Sequence, residues 1–174
     1  TVTGLEPATT YRYRVLNKAV VFNPKNGRPY YSEGKGSDVY RRQPYRMRTL
    51  SDKAQSLSFA IGNDFHDKPE LLEQLFSKEI ITPKNYDFVL FNGDMVSKLE
   101  SEERLVQSVI TPAATQFAAE VPLFISRGNH ETRGACATAF SDYFPTSTGA
   151  PYYTFSVGNT FFIVLDGGED KPDN

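Results

Sequence analysis

Apolar and polar positions follow two different rhythms along the chain. In residues 1–50 they alternate one by one, as in Tyr11-Arg12-Tyr13-Arg14-Val15 and Tyr45-Arg46-Met47-Arg48-Thr49-Leu50. This is the pattern of half-solvated antiparallel strands. Asn23-Pro24-Lys25-Asn26-Gly27 and the stretch from Ser32 to Ser37 lie between them and are rich in turn residues. Residues 51–56 are polar and read as a linker. Beyond it come three short apolar runs, Leu57 to Gly62, Asp87 to Phe91 and Val121 to Ser126, each predicting a buried strand. Asp67-Lys68-Pro69-Glu70 offers a helix start, with proline in the first turn and acids near the positive end of the dipole. Leu71, Leu72, Leu75, Phe76 and Ile80 keep helical spacing behind it. Glu100 to Val109 and Pro112 to Ala119 are two more helical candidates. Tyr152 to Val157 and Thr160 to Leu165 flank Gly158-Asn159, a two-residue hairpin turn. Strand, helix, strand, helix, strand predicts an α/β layer with an antiparallel addition.

Composition narrows the options modestly. The 174 residues suffice for one domain, or for one domain with part of another. Lys plus Arg is 19 and Asp plus Glu is 21, so there is no basic excess to support nucleic-acid binding. No apolar run approaches the ~18 residues of a membrane span. The single cysteine, Cys136, has no internal partner and reads as a small hydrophobe.

The candidate chemistry sits directly after the three apolar runs: Asp64-Phe65-His66, then Asn92-Gly93-Asp94, then Gly128-Asn129-His130-Glu131. Ligands collect at the carboxyl ends of strands in open α/β sheets. Asp, His and Asn suit Mn, Fe or Zn. Both histidines of the chain lie in these clusters. Taken singly, Asp64 reads as a turn residue, Asn129 as a left-handed turn and Glu131 as a helix-start acid. Asp166 is either a strand-end turn residue or a support for the site. Arg127 and Arg133 are loop anchors or phosphate clamps, and the sequence does not choose.

The order D-x-H, GD, GNHE resembles the calcineurin-like metallophosphoesterases over residues 57–174. The N-terminal phrase Gly4-Leu5-Glu6-Pro7-Ala8-Thr9-Thr10-Tyr11 resembles the end of a fibronectin type III-like domain with a tyrosine corner. The expected division is therefore 1–50 as the C-terminal strands of a fibronectin-like β domain, 51–56 as linker and 57–174 as the N-terminal half of a metallophosphoesterase domain. The fold class is α/β, a partial β-sandwich flanked by helices. A β-ribbon extension of the main domain is the other reading of 1–50.

The resemblance implies hydrolysis of a phosphate monoester or diester by hydroxide activated between two divalent or trivalent ions (Mn, Fe or Zn). Asp64 and His66 would hold the first ion, Asp94 would bridge and Asn129 would hold the second. His130 would be the general acid, with Asn129, His130 and Arg127 meeting the substrate. A phosphate- or glycan-binding module on the same fold is the non-catalytic alternative. The resemblance also favours an extracytoplasmic location and a small phosphate-ester partner.

Two departures stand out. Ser97 occupies the place of the tyrosine of purple acid phosphatases and of the aspartate that supports the acid histidine in other relatives, which leaves open what orients His130. Residues 131–174 contain no histidine, where the family has further histidine ligands. Read as truncation, this predicts a metal-poor, inactive chain. Such a chain would self-associate through uncovered faces of Val89, Phe91, Phe124, Phe162 and Val164.

Overall fold

The computed structural model describes residues 2–16, 20–31, 40–54 and 56–168. The Ser32–Ser37 turn lies outside them. At the centre is a parallel three-stranded sheet, β5-β6-β7, built from Phe59–Gly62, Phe88–Asn92 and Leu123–Ser126. Alternation sends Val89, Phe91 and Ile125 to one face, where they pack against Leu72, Phe76, Val109 and Phe117 from the helical side. The opposite face carries Phe59, Phe88 and Phe124. An antiparallel hairpin, β8 (Tyr153–Val157) and β9 (Thr160–Val164), covers it. Phe155 and Phe124 stack at a centroid distance of 3.9 Å, and Phe88 meets Phe124, Phe155 and Phe162 edge-on. Helices, parallel sheet and hairpin thus form three layers with Phe88 fully buried between sheet and hairpin.

Helix α1 (Pro69–Leu75) begins with Pro69 in its first turn and Glu70 beside it. Its N-cap is Lys68, without a side-chain cap bond, so Asp67 is not the helix-start acid expected. The helix also stops earlier than its apolar spacing suggests. Leu71, Leu75 and Ile80 are exposed, and Ile81 enters the core in place of Ile80. The two helical candidates after residue 100 are one helix. It opens at α2 (Glu102–Leu105), capped by Ser101 Oγ accepting the Arg104 N–H at 3.3 Å. It then runs through a π-turn at Val106–Ile110, α3 (Thr111–Ala113) and a second π-turn at Ala114–Ala118. Pro112 lacks a donor and crowds the carbonyl four residues back, which normally breaks a helix. Widened turns accommodate it, as in the Thr111 N–H bond to Val106 O. A final short helix, α4 (Phe140–Tyr143), precedes the hairpin.

In the N-terminal region, β1 (Thr10–Tyr13) pairs antiparallel with β4 (Tyr45–Arg48), as the alternation predicts. Tyr11 Oη accepts the Glu6 N–H at 2.8 Å. A second hairpin, β2 (Val20–Phe22) with β3 (Pro29–Tyr31), lies where only turn residues stood out. Its β2 side chains are all exposed, so no burial pattern announces it. The ribbon is tied to the helical side by Tyr13 Oη to Ala119 O (2.5 Å) and by the Arg46 N–H to Glu120 Oε1 (3.0 Å). The linker is pinned by the Gly158 N–H to Ser51 O at 2.9 Å.

The surface expected to be uncovered is different. Val89 and Phe91 are fully buried and Val164 nearly so, because helices and hairpin already cover both sheet faces. The exposed apolar row is Phe161, Ile163 and Leu165, the outward side of β9 and its continuation.

Candidate metal centre

All three polar clusters emerge from the carboxyl ends of β5, β6 and β7. The first two loops are anchored by apolar neighbours of their polar tips: Phe65 between Asp64 and His66, and Met95 and Val96 after Asp94, all buried. Gly62 ends β5 because a Cβ there would meet Phe76 Cζ at 2.7 Å and Phe65 Cε2 at 2.8 Å. Gly93 has φ +85°, and a Cβ on it would lie 2.8 Å from Gly128 Cα, so the second and third loops touch backbone to backbone. Asp64, His66, Asp67 and Asp94 all have positive φ between 48° and 61°. Left-handed conformations at four non-glycine residues cost energy that the surroundings must hold in place, and such strain concentrates at functional sites.

Hydrogen bonds lace the loops together. The Asp64, His66 and Asp67 N–H groups donate to the carbonyls of Gly93, Asp94 and Met95 at 3.1–3.2 Å. The His130 N–H donates to Asp94 Oδ1 at 3.0 Å. Glu131 is the common anchor. Its Oε2 accepts from Asp94 N and Gly128 N (2.9 Å each), and its Oε1 from Met95 N (2.7 Å) and Val96 N (3.2 Å). This residue is fully buried and starts no helix, a correction to the helix-start reading. Burial pushes its carboxyl above the ordinary range, and the four backbone N–H donors pull the other way. Both oxygens face donors alone, which is the environment a carboxylate fits.

The candidate ligands converge. One ligand atom each from His66, Asp94 and His130 lie within 4.8 Å of one another, and all three side chains are half-buried. The two imidazoles meet edge to face with centroids 4.6 Å apart. The more exposed Asp64 places Oδ1 3.3 Å from His66 Nε2 and also contacts Asn63 Nδ2. The Asn129 amide, oriented with its nitrogen toward Asp94, donates to Oδ2 at 3.1 Å and to Oδ1 at 3.2 Å. Its oxygen then accepts from Arg133 Nη2 at 2.8 Å.

The two arginines separate. Arg127 forks onto Asp166, Nε to Oδ1 at 2.9 Å and Nη2 to Oδ2 at 2.5 Å, with the Asp166 side chain almost fully buried. A phosphate would have to compete with that carboxylate for the fork. Asp166 thus braces the third loop, helped by the Gly167 N–H to Arg127 O at 2.9 Å. The arginine that reaches the cluster is Arg133, with Nη1 3.4 Å from His130 Nε2.

Residues 57–171 match the calcineurin-like phosphoesterase family. The chain belongs to that family. Members of this family act on phosphate esters with the help of divalent metals. A search among curated proteins found no match. The residues fit a metal: imidazole and carboxylate are donors that Mn, Fe or Zn take, and the Asn129 amide oxygen would join them by turning away from Arg133. Ligand atoms on one ion with bonds of about 2.1 Å sit roughly 3–4 Å apart, close to the observed spread. A separate groove of about 370 Å³, lined by residues such as Phe124, Phe140 and Phe155, contains none of the cluster.

Ser97 answers what orients His130. Its backbone carbonyl, not its side chain, lies 2.7 Å from His130 Nδ1. A carbonyl can only accept, so Nδ1 carries the proton and Nε2 is left as the working nitrogen. Sequence reasoning missed this because a backbone oxygen leaves no mark on residue identity.

Proposed function

We propose that this chain carries the metal centre of a dinuclear phosphate-ester hydrolase, with Asp64 and His66 on one ion, Asp94 shared and Asn129 on the second. The observation that carries the reading is the convergence of His66, Asp94 and His130 at the ends of three adjacent parallel strands. When bound, the ions supply acidified water and offset phosphoryl charge. The chain's own residues do the rest. His130, protonated on both nitrogens, keeps Nδ1–H on the Ser97 carbonyl. It passes the Nε2 proton to the leaving oxygen as the P–O bond breaks, and returns as the neutral Nδ1–H ring. Arg133, within 3.4 Å of Nε2, is better placed than Arg127 to meet a phosphoryl oxygen.

Residues 1–50 read as the end of a fibronectin-like domain. The Tyr11 Oη bond to the Glu6 N–H and the antiparallel β1–β4 pair support this.

With Asp64, His66, Asp94 and Asn129 as its metal donors, the 174-residue chain should hold its ions weakly and turn over slowly. The test is therefore hydrolysis of p-nitrophenyl phosphate and its bis ester at saturating Mn²⁺. Turnover lost on chelation and in Asp94→Asn is the expected result, and the better ester tells monoesterase from diesterase. Turnover that survives both, or a chain that stays inert at saturating metal, goes against the reading.

A further inference from the structure

The Ser97 carbonyl can orient His130 only if the segment carrying it is itself fixed. Asp67 and Arg104 do this from two sides. Asp67 Oδ2 accepts the Ser97 N–H at 2.9 Å. Its Oδ1, buried and without an aligned hydrogen bond, lies 3.2 Å from Arg104 Nε as a charge contact. Arg104 Nη1 in turn donates to the next carbonyl, Lys98 O, at 3.3 Å. Asp67 holds φ +61°, and its own N–H is tied to Met95 O at 3.1 Å, so the carboxylate is aimed by the same left-handed turn that presents His66. The result is a continuous path from Arg104 through Asp67 and the Ser97 backbone to the His130 ring.

We propose that Asp67 is the positioning residue of His130: its carboxylate fixes the Ser97 segment so that the carbonyl holds the ring in the Nδ1–H tautomer. The relay does the work a side-chain carboxylate would do at position 97. The catalytic meaning of that tautomer rests on the general-acid reading above, but the positioning itself does not.

The test exploits the fact that the chain has only two histidines. Long-range ¹H–¹⁵N spectra of the ¹⁵N-labelled, metal-free 174-residue chain are recorded at a pH where both imidazoles are neutral. His130→Gln assigns the two rings. Wild type should show a single Nδ1–H tautomer for His130. Asp67→Gly suits the left-handed φ and removes the acceptor, so this signature should be lost, with both ring nitrogens moving toward averaged shifts. Asp67→Asn tolerates the same φ and still offers an amide oxygen to Ser97, so it should restore the signature. An Asp67→Gly chain that folds and keeps the wild-type His130 pattern overturns the proposal, as does an Asp67→Asn chain that loses it fully. If Asp67→Gly lacks a dispersed amide spectrum, Arg104→Met must move the same ring signal, and an unchanged signal then overturns the proposal. No metal or substrate enters, so failure of the hydrolase reading would leave this outcome intact.

Discussion

Truncating Glu131 to alanine should unfasten the site more severely than removing any single candidate ligand. The side chain accepts from four buried or half-buried backbone N–H groups, those of Asp94, Met95, Val96 and Gly128. Each donor left without an acceptor costs about 1–3 kcal/mol. Water entering the vacated space will satisfy some of them, so the low end applies and four donors sum to about 4 kcal/mol. That is a large share of the roughly 5–15 kcal/mol that holds a domain folded. Glu131→Gln keeps one acceptor oxygen for one pair of N–H groups and turns an NH₂ against the other pair, so about half the loss is expected. Burial opposes the ionised form of Glu131. If that opposition dominated, the glutamine would cost nothing. Urea unfolding followed by tyrosine fluorescence and circular dichroism gives both values. A shift below about 1 kcal/mol for the alanine variant would refute the anchor argument.

Two further outcomes follow from the same geometry. Gly93→Ala combines a φ of +85° with a Cβ 2.8 Å from Gly128 Cα, so it should lower Tm and push the second and third loops apart. A thermal melt unchanged from wild type would show that the loops do not touch as described. His130→Ala should leave metal content nearly unchanged and lower kcat by about 10²–10⁴, the range for a lost general acid. The loss should be smaller for p-nitrophenyl than for alkyl esters. Equal losses would reduce His130 to a phosphate contact, and loss of metal would make it a ligand.

What could be read from the sequence follows from burial. Strands β5, β6 and β7 are apolar runs ended by polar tips, so both their existence and the place of Asp64, His66, Asp94, Asn129 and His130 were legible. Helix continuity through Pro112 was not, because proline normally ends a helix and the widening that accommodates it is a backbone property. The β2–β3 hairpin is three residues a side with exposed side chains on β2, which leaves no period to detect. Glu131 and Asp67 looked like acids near helix starts. Apart from the Gly128 N–H, the groups that define their roles are brought from 30 to 37 residues away. The Arg127 and Arg133 alternatives separated only once Asp166 was seen beside Arg127.

The central claim, that the three loops build one metal centre, is tested most directly by Mn²⁺ titration of the ¹⁵N-labelled chain. Paramagnetic broadening acts over short range and registers even weak binding. The His66 and His130 imidazole signals should broaden first, at metal concentrations that leave Tyr11 in the N-terminal ribbon sharp. Asp94→Asn should abolish that selectivity, because it removes the carboxylate that lies within reach of both rings. Uniform broadening across the chain, or selective broadening that persists in Asp94→Asn, would contradict the claim.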